Sequence, residues 1–379
     1  MKRTQRAGPP CAILGRMLSR RDLVLALLAA RASSSTFAAD AGDGVPALTF
    51  PRDFGAHPES RIEWWYVTGS LAAAARTWGF QITFFRATTG IVGAEASAFR
   101  AGELLFAHAA VTDLEHRRLL HDQRLARSGF GIAAAAASDT GLVLRDWRLE
   151  RAAAAGDERS HYRARAASDT AGFRFDLELA ASQPLLLQGV RGISRKGPGA
   201  EHFSRYYSEP QLRVRGTLAL HGGEPAAVNG RAWLDHEWSD AVLAPEAVGW
   251  DWIGMNLDDG GALTAFRLRR RDGTTLWAGG SHRPAGGAVR DFAPSEVAFV
   301  AGRRWSSPSS KAAYPVEWSV TTPAGIFSVA AMQDDQELDS RASSGSIYWE
   351  GLSALRDATG RTVGSGYLEM TGYAGQLRL

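Results

Sequence analysis

Arg61-Ile62-Glu63-Trp64-Trp65-Tyr66-Val67-Thr68 is the stretch from which the rest of the chain is read. Side chains of an extended strand alternate between its two faces. Trp64, Tyr66 and Thr68 therefore share one face, and Glu63, Trp65 and Val67 the other. Phe80-Gln81-Ile82-Thr83-Phe84-Phe85-Arg86 follows after a short turn region around Gly79, and the two runs read as a hairpin or the start of a meander. The same period of two returns in residues 173–179, 211–218 and 263–268, the last followed by an Asp272-Gly273 turn signal. Short strands separated by Gly, Asp and Asn turns predict an all-β fold of barrels or sandwiches. The Ala133–Ala137 run could pass for helix, but Gly129, Gly131 and Gly141 surround it, so it reads as loop or edge strand.

The amino terminus has a different character. Lys2, Arg3, Arg6 and Arg16 form a basic lead-in, and Ser19-Arg20-Arg21-Asp22-Leu23-Val24 carries the paired arginines of a twin-arginine export signal. The apolar run Leu23–Ala30 is far shorter than the roughly 20 residues of a permanent bilayer span. Thr36-Phe37-Ala38-Ala39 supplies a cleavage site, so residues 1–39 read as a signal peptide and the mature protein as periplasmic or secreted. Those 39 residues hold seven of the 43 basic and one of the 40 acidic side chains, and their removal turns a net charge of +3 into −3. Nucleic-acid binding thereby loses its electrostatic basis. The only cysteine, Cys11, leaves with the leader, so the remainder needs no disulfides in an oxidising compartment.

The remaining 340 residues are long for one core and suit two domains. Gly189, Gly192, Gly197, Pro198 and Gly199 crowd the region between Leu187 and Tyr207, which places the expected boundary at 195/196: residues 40–195 form one domain and 196–379 the other.

Four segments concentrate reactive and aromatic side chains. They are His57-Pro58-Glu59-Ser60 leading into Glu63-Trp64-Trp65-Tyr66; Gly230-Arg231-Ala232-Trp233-Leu234-Asp235-His236-Glu237-Trp238; Gly249-Trp250-Asp251-Trp252; and Tyr348-Trp349-Glu350-Gly351 with Gly366-Tyr367-Leu368-Glu369-Met370-Thr371-Gly372-Tyr373. As an ordered set from His57 to Tyr373, the chain resembles the secreted lipocalin-like family that includes the carotenoid 1,2-hydratases (hydroxyneurosporene synthases). The resemblance implies two tandem lipocalin-like, calycin-type β-barrels. It further implies cofactor-free addition of water to a carbon–carbon double bond of an isoprenoid; the same superfamily includes a fungal hydratase of a prenylated isoflavonoid. The carotenoid hydratases use a histidine–x–tryptophan pair and a downstream aspartate, which His236-Glu237-Trp238 and Asp251 match here.

Hydrating such an alkene needs a proton donor, a pocket that tolerates a tertiary carbocation, and a placed water. A carboxylic acid buried among indoles meets the first need, because desolvation disfavours its charged form. Asp251, between Trp250 and Trp252, is the candidate acid, although in a strand it faces away from both. His236 is the candidate for positioning or deprotonating water. Asp235 and Glu237 complete the catalytic set, or with His236 form a buried hydrogen-bond network that fixes a strand end. Trp238 and Trp250 are expected to shape the pocket, with Trp252, Trp233, Trp64, Tyr66 and Trp349 lining it or filling the core. Glu350 and Glu369 are expected to pair with arginines, His57 to lie in a loop, and His108 to be an ordinary polar position.

Other chemistries find less support. His236-Glu237-Trp238-Ser239-Asp240 lacks the second histidine of a zinc helix, and its context reads as strand. There is no G-x-S-x-G elbow, no phosphate-cradling glycine loop and no paired cysteine ligands. The sequence therefore suggests a protein without cofactor or metal whose partner is an apolar small molecule. The two readings are a hydratase, and a non-catalytic periplasmic lipid carrier associated with the membrane surface or an envelope transporter.

Overall fold

The computed structural model describes residues 45–90, 101–153, 159–241 and 243–375, so the expected leader lies outside the described residues. Two large antiparallel sheets make up the fold. In the first, β1 (Ile62–Ala73), β2 (Arg76–Thr88), β3 (Glu103–Asp113) and β4 (Arg118–Arg127) form a meander. The short β5 (Ala133–Ala135) and β6 (Gly141–Leu144) lead into β7 (Trp147–Ala153), β8 (Ser160–Ser168) and β9 (Phe173–Ala180). Two short strands, β10 (Leu186–Leu187) and β11 (Ile193–Arg195), precede the long β12 (Phe203–Leu220) and β13 (Ala226–Ser239). β13 lies between β1 and β12, and contacts of β3 and β4 with β5 and β6 nearly close the sheet into a barrel.

The second sheet begins with β14 (Gly249–Leu257), β15 (Ala262–Arg269), β16 (Thr275–Arg283), β17 (Arg290–Phe292) and β18 (Ala298–Ala301). After a separate small hairpin, β19 (Arg304–Ser306) and β20 (Ala313–Pro315), it continues with β21 (Glu317–Thr322), β22 (Gly325–Ala331), β23 (Glu337–Ser340), β24 (Ser346–Arg356) and β25 (Thr362–Met370). β25 lies between β14 and β24. The described residues contain no α-helix, only two short 3-10 turns. This is the all-β organisation that the alternating pattern predicts, a nearly closed barrel and a second large sheet, and it fits the two-domain lipocalin-like fold that the resemblance implies.

The expected boundary at 195/196 does not separate the sheets. β12 and β13 belong to the first sheet, pairing with β9 and β1, and the change of sheet falls between Ser239 and Gly249. The glycines that suggested a linker serve turns instead. Gly189 and Gly192 take positive φ (+66° and +86°) in the tight turn between β10 and β11, where Val190 bridges to Ile193. The first hairpin also differs: its turn is at residues 74–75, with Ala74 at φ 51°, and Gly79 lies inside β2. There a Cβ would stand 2.8 Å from the Tyr367 hydroxyl, so glycine permits β2 to approach β25 of the other sheet.

The period of two sorts the side chains into three apolar layers. Trp65, Val67, Leu234 and Trp238 point into the first barrel. Ile253, Met255, Trp349, Leu368 and Met370 fill the second. The opposite faces of the same strands supply a third layer, Tyr66, Trp233, Trp252, Phe266, Leu352 and Tyr367, which joins the two sheets. Polar bonds clamp this seam: Gln211 Nε2 donates to the carbonyls of Leu257 and Gly261, and Asn256 Nδ2 to that of Ala232.

Candidate active site between the two sheets

The seam is not completely filled. A cavity of about 100 Å³ remains, walled by Trp64, Tyr66, Phe85, His108, Asp235 and Glu237 from the first sheet, and by Trp250, Trp252, Tyr348, Glu350 and Glu369 from the second, with Lys196 and Tyr206 beside them. β1 and β13 bring their contributions together by register, because Tyr66 pairs with Asp235 and Trp64 with Glu237. β24 and β25 do the same, pairing Glu350 with Glu369.

These acids live in different environments. Glu237 holds the Lys196 ammonium at 2.9 Å. Asp235 accepts from Ser208 Oγ at 2.5 Å and Trp233 Nε1 at 2.7 Å, yet burial wins and pushes its carboxyl up to about 7. Burial drives Glu369 further, to about 8, against the Trp250 indole, which lowers it. Burial and then the charge of Glu369 raise Glu350 well above the carboxylate range. Glu350 Oε1 and the Tyr66 hydroxyl are both fully buried, and neither makes a well-aligned hydrogen bond among the described residues. Lys196, the cation in the cavity wall, is paired with Glu237 and only weakly lowers Glu369, so the two facing carboxyls hold a proton at neutral pH, because ionising both would place like charges in a poorly solvated site.

Asp251 is not part of this cavity. Its strand neighbours Trp250 and Trp252 face the seam, so Asp251 faces the interior of the second sheet. There Arg267 Nε approaches its Oδ2 at 2.7 Å and Arg269 Nε at 3.0 Å, and Tyr373 donates to Oδ1 at 2.8 Å. A carboxylate clamped by two guanidinium groups is a structural ion pair, which corrects the expectation that Asp251 is the acid.

His236 and Trp238 likewise point into the first barrel, not the cavity. His236 Nε2 meets Glu63 Oε1 at 2.8 Å and its Nδ1 meets the Tyr207 hydroxyl at 3.1 Å, while its ring stacks on Trp65 at 4.4 Å. Trp238 stacks on His57, with centroids 3.8 Å apart and planes 5° apart. His57 lies in a loop, as expected, but is buried and bonds Glu63 Oε1 at 2.7 Å and Asp53 at 3.1 Å. Burial opposes the charge of Glu63, but the bonds from His236 and His57 outweigh it and hold its carboxyl far below the usual range. His57, Glu63 and His236 present their donor atoms close enough for a metal ion. Arg86 Nε, 2.8 Å from Glu63, already supplies the positive charge, and the four partners form a closed hydrogen-bond network. The network reading thus fits His236, while Asp235 and Glu237 reach the cavity. Trp349 is a core residue of the second sheet, its Nε1 donating to the Asp334 carbonyl at 2.7 Å. Trp233 lies in the seam behind Asp235 and not in the cavity wall.

Of the expected residues, the cavity therefore collects Asp235, Glu237, Trp64, Tyr66, Trp250 and Trp252. The sequence reading assigned Glu350 and Glu369 to arginine pairs and His108 to an ordinary polar position, and it gave Tyr348, Lys196 and Phe85 no role in the site. A signal existed for part of this: Tyr348 and Glu350, like Tyr367 and Glu369, are two residues apart and must share a strand face. Nothing local marked His108 or Lys196.

Comparison with known proteins agrees with this architecture. The AttH-like family model matches residues 42–373. A protein of Nitrosomonas europaea assigned as AttH is 44% identical, covers 87% of this chain and 98% of its own, and superposes with a TM-score of 0.79. Kievitone hydratase of Nectria haematococca is 16% identical over 88% of this chain and 95% of its own, with a TM-score of 0.62. CghA is 12% identical over 86% and 94%, with a TM-score of 0.52. The last two likenesses are of fold. Comparison with curated protein sequences finds no match. The extent of the family match and the 44% identity lead to one assignment: the chain belongs to the AttH-like family.

Proposed function

We propose that this protein is a hydratase that adds water across the carbon–carbon double bond of an isoprenoid or prenyl group, with the Glu350–Glu369 pair as the proton donor. The observation that carries the reading is this pair: two buried carboxyls directly opposed, neutral by burial, on the wall of a cavity rich in aromatic rings that Asp235, Glu237 and Lys196 also line. The pair keeps a proton available at neutral pH, as an acid catalyst must. Proton transfer to the alkene leaves a tertiary carbocation and one carboxylate. The faces of Trp64, Trp250 and Trp252 stabilise that cation by roughly 0.5–2 kcal/mol each.

The fold likeness to kievitone hydratase supports the same chemistry. Cavity size bears on the substrate. About 100 Å³ is of the order of a cavity that takes one benzene ring, about 150 Å³. It suits a single prenyl end reaching in from a larger molecule. A carotenoid would enter by its terminus only. We further propose that residues 1–39 direct export.

Purified protein incubated with kievitone, and separately with lycopene or neurosporene, is expected to yield a product heavier by one water. Glu369→Gln and Glu350→Gln are expected to abolish it. If the prenyl compound co-purifies or binds and is returned unchanged, the carrier reading replaces this one.

A further inference from the structure

His108 opens the other half of the reaction, and its protonation is fixed by a chain of hydrogen bonds across the seam. Gln123 Nε2 donates to the Asp339 carbonyl at 2.9 Å, which sets the amide's orientation and turns Oε1 toward Ser343. Ser343 Oγ lies 2.6 Å from that oxygen and 3.2 Å from the Ser340 carbonyl, both of which can only accept, so the serine's one proton is committed to them. Ser343 Oγ can then only accept from His108 Nε2, 2.9 Å away. His108 accordingly carries its proton on Nε2. Burial, and secondarily the nearby His121, holds the imidazole down to about 3, so the ring is neutral and Nδ1 is bare. The Tyr348 hydroxyl stands 2.7 Å from Nδ1 and must be its donor, while Ser340 Oγ is at a long 3.5 Å. Tyr348 thus directs its proton to His108, and its oxygen, on the wall of the same cavity, serves as an acceptor. The Gln81 amide, whose Nε2 has no well-aligned partner, and the Ser340 hydroxyl neighbour the same oxygen as donors. Tyr348 is two residues from Glu350 on one strand face, so acid and acceptor border the same space.

We propose that Tyr348 is the catalytic group that receives the proton of the attacking water, and that His108 is the positioning residue that orients Tyr348 and relieves it of its own proton. The inference rests on the hydratase reading above. In the first step the alkene π pair takes a proton from the Glu350–Glu369 pair, forming a C–H bond and leaving a carbocation and a carboxylate. In the second, the water oxygen bonds the cationic carbon, one water O–H bond breaks toward Tyr348 Oη, and the phenol proton moves to His108 Nδ1. Return of that proton through Tyr348 to the carboxylate restores the enzyme, and the sum is alkene plus water to alcohol. A weakly basic imidazole is sufficient, because the group being deprotonated is an oxonium.

Two measurements test this. With kievitone in D₂O, Tyr348→Phe is expected to lower hydration by roughly 10²–10⁴-fold, while recovered substrate still gains deuterium at the alkene carbon, because the acid is intact. Glu369→Gln is expected to lose both hydration and exchange. Undiminished hydration by Tyr348→Phe overturns the relay and leaves the hydratase reading standing. Wild-type protein that neither hydrates nor exchanges overturns the hydratase reading and the relay with it. Independently of turnover, ¹⁵N NMR of histidine-labelled protein, with His108→Gln to assign the signal, is expected to show a proton on Nε2 and an Nδ1 resonance that moves in Tyr348→Phe. A proton found on Nδ1 removes the relay whatever the kinetics.

Discussion

Glu350 and Glu369 stand directly opposite each other on neighbouring strands, and neither is paired with an arginine among the described residues. Asp251, one strand away, is held by two. Three acids in aromatic-rich motifs thus divide into two that keep a proton and one that serves as a structural anion.

The first prediction concerns pH. Glu369 moves from an ordinary 4.5 to about 8 on folding, and Glu350 moves in the same direction. The folded state therefore binds more protons than the unfolded chain between those values, so stability falls as pH rises from about 4.5 through 8. Hydration is expected to decline over the upper part of the same window as the donor ionises. Urea unfolding across pH 5–9 checks the first statement, and Glu369→Gln should flatten the slope; a slope unchanged in that variant would refute the assignment.

Asp251→Asn should behave differently from Glu369→Gln. It leaves Arg267 and Arg269 buried beside a neutral amide, and breaking such a pair costs about 3–5 kcal/mol. Chemical denaturation should show that loss, while the folded fraction should retain kcat. Wild-type stability with lost turnover would return Asp251 to the catalytic set.

Glu63 gives the opposite pH sign. Its carboxyl lies below the unfolded value of 4.5, so its contribution is present above that pH and is lost as pH falls through the folded value. Glu63→Gln also strands Arg86, and a destabilisation of about 3–5 kcal/mol is expected. Thermal unfolding near pH 7, compared with that near pH 3, reads both effects.

Gly254 tests the seam. A Cβ there would lie 2.3 Å from the Trp252 ring and 3.2 Å from Trp233. Gly254→Ala is expected to cost about 1–3 kcal/mol by overpacking and to displace Trp252 from the cavity wall. Calorimetry and tryptophan fluorescence measure the two consequences, and an unshifted emission spectrum with full stability would contradict this packing.

Export can be tested apart from the fold. Replacing Arg20 and Arg21 by lysine is expected to retain the precursor in the cytoplasm, as followed by cell fractionation; unaltered export would exclude the twin-arginine route.

Face assignment was legible in the sequence because it depends only on the chain's own alternation. Trp64 and Tyr66 fall opposite Glu63 and Trp65 whatever else the protein does, and Asp251 must oppose Trp250 and Trp252. The alternating segments likewise determined that the chain is a β protein. What a face meets is a matter of pairing between distant strands. Arg267 and Arg269 reach Asp251 because β15 lies beside β14, and Glu350 meets Glu369 because β24 and β25 share a register. His108 becomes neutral because it is buried in the seam, and directional because Tyr348 and Ser343, more than 200 residues away, close on both of its nitrogens. A carboxyl's charge depends on the water and cations around it, and these neighbours are assembled only when the two sheets close on each other.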